Sequence, residues 1–374
     1  MKQPTKLQPY SPEPPPTYMK SDEIDLRELF RALWDGKLIV ILVTILFTIG
    51  SIGFALSAQE WWSSEAKVTE SQAQGLAAYQ QQVKQFQPVF NIYQDDGTVL
   101  ISKELNKLVD SKILFKHFIN TFSSANNKRV FLDDSAEFQE FKDALVADDT
   151  EMTEDNARTL YSQWFDRINV SISDKNGSNS PYFLSFQTMT PQSSSDLLAS
   201  YISVTERKVQ QDAFNNLQAV VNGKRNELIQ QKKIIEVQAK NLLLVETERA
   251  KYAVEIARAA GVKSPIQTGG DNELFSIDLG LKGLEAKVRA LESIKNLSVI
   301  EPRLQQVDAK LNMLSNLEID RNVEFQTFRF LENVEQPTTR DKPKRALIVL
   351  LGAFIGGIFG ISIVLIRFAF RKEY

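Results

Sequence analysis

The sequence predicts an α+β membrane protein. Two transmembrane helices bracket a large domain with a membrane-proximal α/β base and a long helical-hairpin protrusion. Three observations lead there. Two uncharged apolar runs lie near the ends of the 374-residue chain. Short runs with β-strand alternation lie toward both ends of the segment between them, and a proline-free stretch from residue 193 to 260 keeps a helical composition throughout.

Composition narrows the function classes first. Charged residues make up 24% and hydrophobic residues 43%, close to globular averages. A formal net charge of −3 and the lack of a basic stripe point away from nucleic acid as a partner. Cysteine is absent, which excludes disulfides, thiolate catalysis and Cys-ligated metals. His117 is the single histidine, so no multi-His metal site and no His-based relay can be assembled.

Residues 1–37 are predicted to form a cytoplasmic tail. Pro9, Pro12, Pro14, Pro15 and Pro16 give it polyproline character. A helical pattern starts after Ser21, with Asp22 and Glu23 in its first turn and Ile24, Leu26, Leu29, Phe30, Leu33 and Trp34 as its apolar face. It reads as an amphipathic lead-in lying at the membrane surface.

The first membrane helix is placed at 38–58, within 22 uncharged residues between Lys37 and Glu60. The second is placed at 346–366, the 21 uncharged residues between Arg345 and Arg367. A bilayer core requires about 20 apolar residues in a helix. A cleaved signal peptide is the other reading of the first run. The long, proline-rich lead and an apolar run longer than a signal core argue against it. Trp61 and Trp62 follow at the level of an interfacial aromatic belt.

Charge leaves the orientation open. Arg27, Arg31 and Lys37 before the first helix, with Arg367, Arg371 and Lys372 after the second, favour cytoplasmic termini. Arg340, Lys342, Lys344 and Arg345 on the loop side count against it. Within the second helix Gly352, Gly356 and Gly360 recur every fourth residue and leave one face nearly free of side chains. The helix packed there could be the first one, one from another copy, or one from a different membrane protein.

The domain from 59 to 345 divides, on this reading, into a base (59–192 and 318–345) and a protrusion (193–317). Extended segments are expected at 61–70, 168–174, 182–189 and 323–331, with Asn176-Gly177 in the turn between the middle two, and all four could join one sheet. Helices are expected at 101–121 and 136–147. Another follows an acidic cluster (Asp148, Asp149, Glu151, Glu154, Asp155), with Thr153 as its cap and its end near Asp166. That cluster lacks the spacing and the glycine turn of a calcium loop. His117 falls on the first of these helices as a surface or interface residue.

The helix over 193–260 has caps on offer at Ser193, Ser194 and Ser195 and a stop at Gly261 and Pro265. At 1.5 Å per residue it would run ~100 Å, longer than an ordinary domain is wide. Phe214, Val221, Leu228, Ile235 and Leu242 recur every seventh residue as a thin coiled-coil-like seam. Such a seam suits one returning helix plus contacts with other copies. Helical patterning resumes at 279–295, breaks near Pro302 and continues to about Leu317 as the return path. The loop at 262–276 is expected at the tip.

No constellation for catalysis emerges: no GxxxxGK[ST], GxGxxG, GxSxG or HExxH is present. No enzymatic activity and no cofactor or metal are expected, and the short tails offer no room for a kinase or signalling domain.

The segment from Pro337 to Arg367 resembles the proline- and glycine-rich second membrane segment of polysaccharide co-polymerases of the O-antigen chain-length determinant (Wzz) type. The matching positions are Pro337, Pro343, Lys344, Arg345, Leu347, Ile348, Gly352, Gly356, Gly360 and Arg367. The opening from Asp22 (DEIDLRELFRALWDGKLIVI) and the end of the long helix (ARAAGVKSP) are similar to that family as well. The prolines before Lys344 are fewer than is usual there. The resemblance implies a periplasmic domain on a two-helix inner-membrane anchor with both termini cytoplasmic. It implies a homo-oligomeric ring, an octamer, that works with a membrane O-antigen polymerase on a lipid-linked polysaccharide and sets its modal length. A capsule or common-antigen co-polymerase and a periplasmic adaptor of an export system are the alternatives.

Overall fold

A computed structural model describes residues 26–94, 96–147, 153–173, 181–266 and 275–372. The proline-rich tail, Asp22 to Ile24, the acids Asp148, Asp149 and Glu151, and the Asn176-Gly177 turn lie outside the described residues.

The elements follow the sequence patterns closely. Helix α1 covers Leu26–Asp35 and α2 covers Lys37–Ser57, with Gly36 between them. Strand β1 is Trp62–Glu70, followed by α3 (Ala73–Lys84), the single turn α4 (Gln87–Phe90) and a small hairpin of β2 (Ile92–Tyr93) and β3 (Val99–Leu100). Next come α5 (Ser111–Ser123), α6 (Ala125–Asp133), α7 (Ala136–Ala147) and α8 (Glu154–Phe165). Strands β4 (Ile168–Ile172) and β5 (Tyr182–Thr188) lead into α9, Pro191–Ala259. The chain returns through α10 (Gly280–Ser293) and α11 (Arg303–Asn316), adds β6 (Phe328–Glu332) and ends in α12, Arg345–Lys372.

Several expectations shift locally. The helix expected over 101–121 is broken: a 3-10 turn covers Glu104–Val109, and Asp110 caps α5 by accepting from Lys112 N at 2.8 Å and Ile113 N at 3.2 Å. A carboxylate aimed at two free amides starts a new helix there. Thr190, and not Ser193 to Ser195, caps α9; its hydroxyl accepts from Ser193 N at 3.1 Å, and Pro191 takes the first helical position. Ser194 and Ser195 hydrogen-bond back to the carbonyls of Pro191 and Gln192. The run at 323–331 is strand only from Phe328. Thr153 caps α8 as expected, accepting from Asn156 N.

The chain separates into two units, residues 1–62 with 338–374 and residues 63–337. In the first, α2 and α12 pack along their lengths, with α1 against α12. Both α2 and α12 are long and apolar enough to cross a membrane. In the second, the four expected extended segments form one sheet in the order β4-β5-β1-β6. β4 pairs antiparallel with β5, and β1 antiparallel with β6, so the first and last strands of the unit are neighbours.

Three apolar clusters line α9. The first joins Val68, Phe328 and Phe186 of the sheet to Phe118, Trp164 and Tyr201. The second sets Tyr79, Phe214, Leu228, Leu304, Leu314 and Phe325 together, from α3, the middle of α9, α11 and the lead into β6. The third is small, built on Ala253, Ala257 and Leu284. α9 has 69 residues, about 100 Å of helix. Its end is a Schellman motif: Gly261 takes φ +70° and its N–H bonds Arg258 O, while Val262 N–H bonds Ala257 O at 3.0 Å.

Candidate functional site

The anchor pair is built for close approach. In α2, Thr44, Thr48 and Ser51 return their hydroxyls to Val40 O, Thr44 O and Thr48 O at 2.7–2.8 Å. Their polar atoms are thus satisfied within the helix, and only short stems face outward. Gly352, Gly356 and Gly360 of α12 meet this face. A Cβ added at Gly360 would stand 2.8 Å from Val40 Cα, one at Gly356 3.0 Å from Thr44 Cα, and one at Gly352 would overlap the Ser51 side chain. A Cβ added at Gly357, one position off the face, would lie 3.9 Å from Thr44 Oγ1, an ordinary contact. Phe47 and Phe359 stack beside the contact with centroids 5.4 Å apart. The helix that fills the glycine face is therefore the first one of the same chain. Gly36 repeats the device from the other side, lying under Val364. Thr44, Ser51 and Gly36 went unremarked in the sequence; their signal is the spacing of small residues along the first apolar run.

One end of this pair carries a polar clasp. Glu60 Oε1 accepts from Arg345 Nη2 at 2.7 Å and Arg340 Nη1 at 2.9 Å. Arg345 Nε also donates to Ala55 O, in the last turn of α2, at 3.1 Å. A guanidinium there satisfies an orphan carbonyl and meets the negative end of the helix dipole. Trp61 N–H bonds Lys342 O, and Asp341 N–H bonds Trp61 O, so the two strands of chain also bridge through their backbones. Of the motif residues, Pro343 and Lys344 lie in and beside this clasp, while Pro337 ends the other unit.

Along α9, Phe214, Val221, Leu228 and Ile235 are buried, in one cluster with Leu304, Val307 and Leu314 of α11. Leu242 is not: it is 45% exposed. A seven-residue repeat drifts ~20° per heptad on a straight helix, so by the fifth position the seam has turned ~80° off its partner. Beyond Leu242 burial resumes on Ala250, Ala253 and Ala257, the last two in one cluster with Leu284 of α10. Small side chains there let α10 lie close.

Several other polar groups are held inside the second unit. Lys128 donates to Phe165 O at 2.9 Å and Ile168 O at 2.7 Å, and burial lowers its pKa. Burial raises the Glu137 carboxyl, and Arg167 nearby is lowered to about 10 by burial. Burial also raises Glu206, which accepts from Thr327 N at 3.3 Å with Glu324 adding repulsion. His117 stands 3.4 Å from Asp212 Oδ2 beside a cavity of about 80 Å³, well under the ~300–1,000 Å³ of small-molecule sites. Among the described residues no group of three or more His, Asp or Glu is placed to hold a metal.

A family model described as "Chain length determinant protein" (Wzz) matches residues 22–113. Residues 22–113 are thus similar to the Wzz chain length determinant model. A second model, described as a G-rich domain on putative tyrosine kinase, matches residues 303–369, which include α11, β6 and most of α12. The curated relatives span nearly the whole chain. "Ferric enterobactin transport protein FepE" of Escherichia coli (strain K12) is 26% identical over 97% of this chain and 93% of its own length. The "ECA polysaccharide chain length modulation protein" of the same strain is 24% identical over 92% and 95%. The fold is that of a solved full-length bacterial polysaccharide co-polymerase, with a TM-score of 0.63 at 24% identity over 93% of this chain and 99% of that one. The expected resemblance to the Wzz-type co-polymerases thus holds for the N-terminal segment and for the fold, while the C-terminal segment matches the G-rich model.

Proposed function

We propose that this protein sets the modal chain length of a lipid-linked polysaccharide, the O-antigen of lipopolysaccharide, as an oligomeric inner-membrane scaffold for the polymerase. The observation that carries the reading is the similarity of residues 22–113 to the Wzz model, joined to relatives that match the chain from end to end. In this reading residues 59–345 are periplasmic, with a base (59–192, 318–345) and a protrusion (193–317), and both termini are cytoplasmic. The antiparallel pairing of α2 and α12 supports the common side of the termini: it brings Arg27, Arg31 and Lys37 to the same end as Arg367. The assembly is read as a ring, an octamer; contact between copies, though not their number, is supported by the apolar residues that α9 leaves uncovered, among them Ile234, Val237, Val245, Tyr252 and Ile256.

Deletion of the gene is expected to turn a modal lipopolysaccharide ladder into an unregulated one, restored by a plasmid copy. An unchanged ladder overturns the O-antigen assignment. A second reading follows from the printed names of the relatives: the target is common antigen, or the role is ferric enterobactin transport. Common-antigen length and ferric enterobactin uptake in the same strains separate these from the first.

A further inference from the structure

The loop-side cations before α12 remain without a role in that reading. Arg340, Lys342, Lys344 and Arg345 fall within six consecutive residues, directly before an apolar run. The acids beside them are Glu60 and Asp341. Glu60 takes Arg340 and Arg345 on a single oxygen. Lys342 and Lys344 are exposed, and their ammonium groups have no ion pair or hydrogen bond among the described residues. Cations therefore outnumber carboxylates at this spot.

Position gives the excess a meaning. Arg345 opens α12 and holds Ala55 O in the last turn of α2, so the cluster sits where both apolar helices end. If these helices cross a bilayer, that level is the layer of lipid phosphates. The dielectric falls steeply there and charge pairs strengthen. The clasp also holds the guanidinium groups in place before any ligand arrives. An arginine fork matches phosphate oxygens, and each guanidinium keeps donors that the clasp does not use. Lys342 and Lys344, exposed within the same six residues, add two further cations.

We propose that Arg340, Lys342, Lys344 and Arg345, ordered around Glu60, bind a phosphate group carried by a membrane lipid. The chemistry suits the headgroup of an anionic phospholipid and the diphosphate of a polyprenyl-linked glycan alike. The inference rests on the membrane-spanning reading of α2 and α12, and its test reads binding, so a failed polysaccharide assignment would leave it standing.

The full chain is reconstituted in nanodiscs of phosphatidylcholine alone, with added phosphatidylglycerol, or with added polyprenyl diphosphate. Lipid retained on release into detergent is counted by native mass spectrometry. Retention of either phosphate lipid over phosphatidylcholine is expected, and the one retained more names the source. K342Q/K344Q leaves the Glu60 clasp intact and should weaken that retention by about 30-fold, from the usual worth of two cations near an anionic surface. K342R/K344R should restore it. Equal retention of phosphatidylcholine, or retention of both phosphate lipids that the glutamine variant does not change, overturns the proposal.

Discussion

At the scale of single residues, the anchor pair depends on what glycine lacks. One methyl at Gly360 meets the backbone of Val40, which cannot swing aside as a side chain can. G360A and G356A are expected to weaken the α2–α12 pair by about 1–3 kcal/mol each, the usual cost of overpacking a close contact. G357A, on the same helix but off the face, should change it by less than ~0.5 kcal/mol. Graded unfolding in detergent, followed by a fluorescent pair on the two helices, measures all three. Glu206 makes a different kind of prediction. Its carboxyl is raised by burial, so the folded chain holds the proton more tightly than the unfolded one. Stability then is greatest at and below the ordinary glutamate range and falls as pH climbs through the raised value. E206Q keeps an acceptor for Thr327 N and removes the buried charge. It should raise the thermal midpoint at neutral pH and flatten this part of the pH profile, while Glu137, shifted the same way, keeps a residual slope.

At the scale of elements, the seam of α9 divides into a working part and an idle part. L228A removes a side chain that is 1% exposed and packed with α11, and should cost about 2–5 kcal/mol. L242A should cost no more than about 0.5 kcal/mol in the isolated chain, since its site is already open. Denaturant titration of the 63–337 unit within the full chain distinguishes them. This pair also marks how far the sequence could be read. A seven-residue repeat is visible in the letters, but its drift on a 3.6-residue helix depends on where the partner helix stops. The break between α10 and α11 hides that until both are seen together. The long helix, the hairpin and the four-strand sheet were legible because each has a strong local signal. The capping by Asp110 and Thr190 was less so, because several polar residues compete for the same start. In the candidate site, the glycines of α12 declared themselves by regular spacing. Their partners Thr44 and Ser51 did not, since a hydroxyl folded back onto its own helix counts as a small residue only in three dimensions. Glu60 was invisible as a clasp, because it answers cations 280 and 285 positions away.

At the scale of the molecule, the proposed arrangement across the membrane is directly testable. The chain has no cysteine, so a single one introduced anywhere is a clean label. S293C, at the end of α10, should react with a membrane-impermeant maleimide once the outer membrane is opened. D35C, at the end of α1, should react only after the inner membrane is disrupted. The reverse pattern would invert the topology and remove the polysaccharide reading with it. The sheet holds one further consequence. β1 lies between β5 and β6, and its partner residues Lys67 and Glu332 are 265 positions apart. At ~5–20 residues per second, the ribosome needs on the order of tens of seconds to travel from one to the other. Through that interval the nascent chain carries β1 with at least one edge bare, a template for pairing with a neighbouring copy. The last strand is thus also a closing seal, and the time before it arrives is when newly made chains are most exposed to wrong partners.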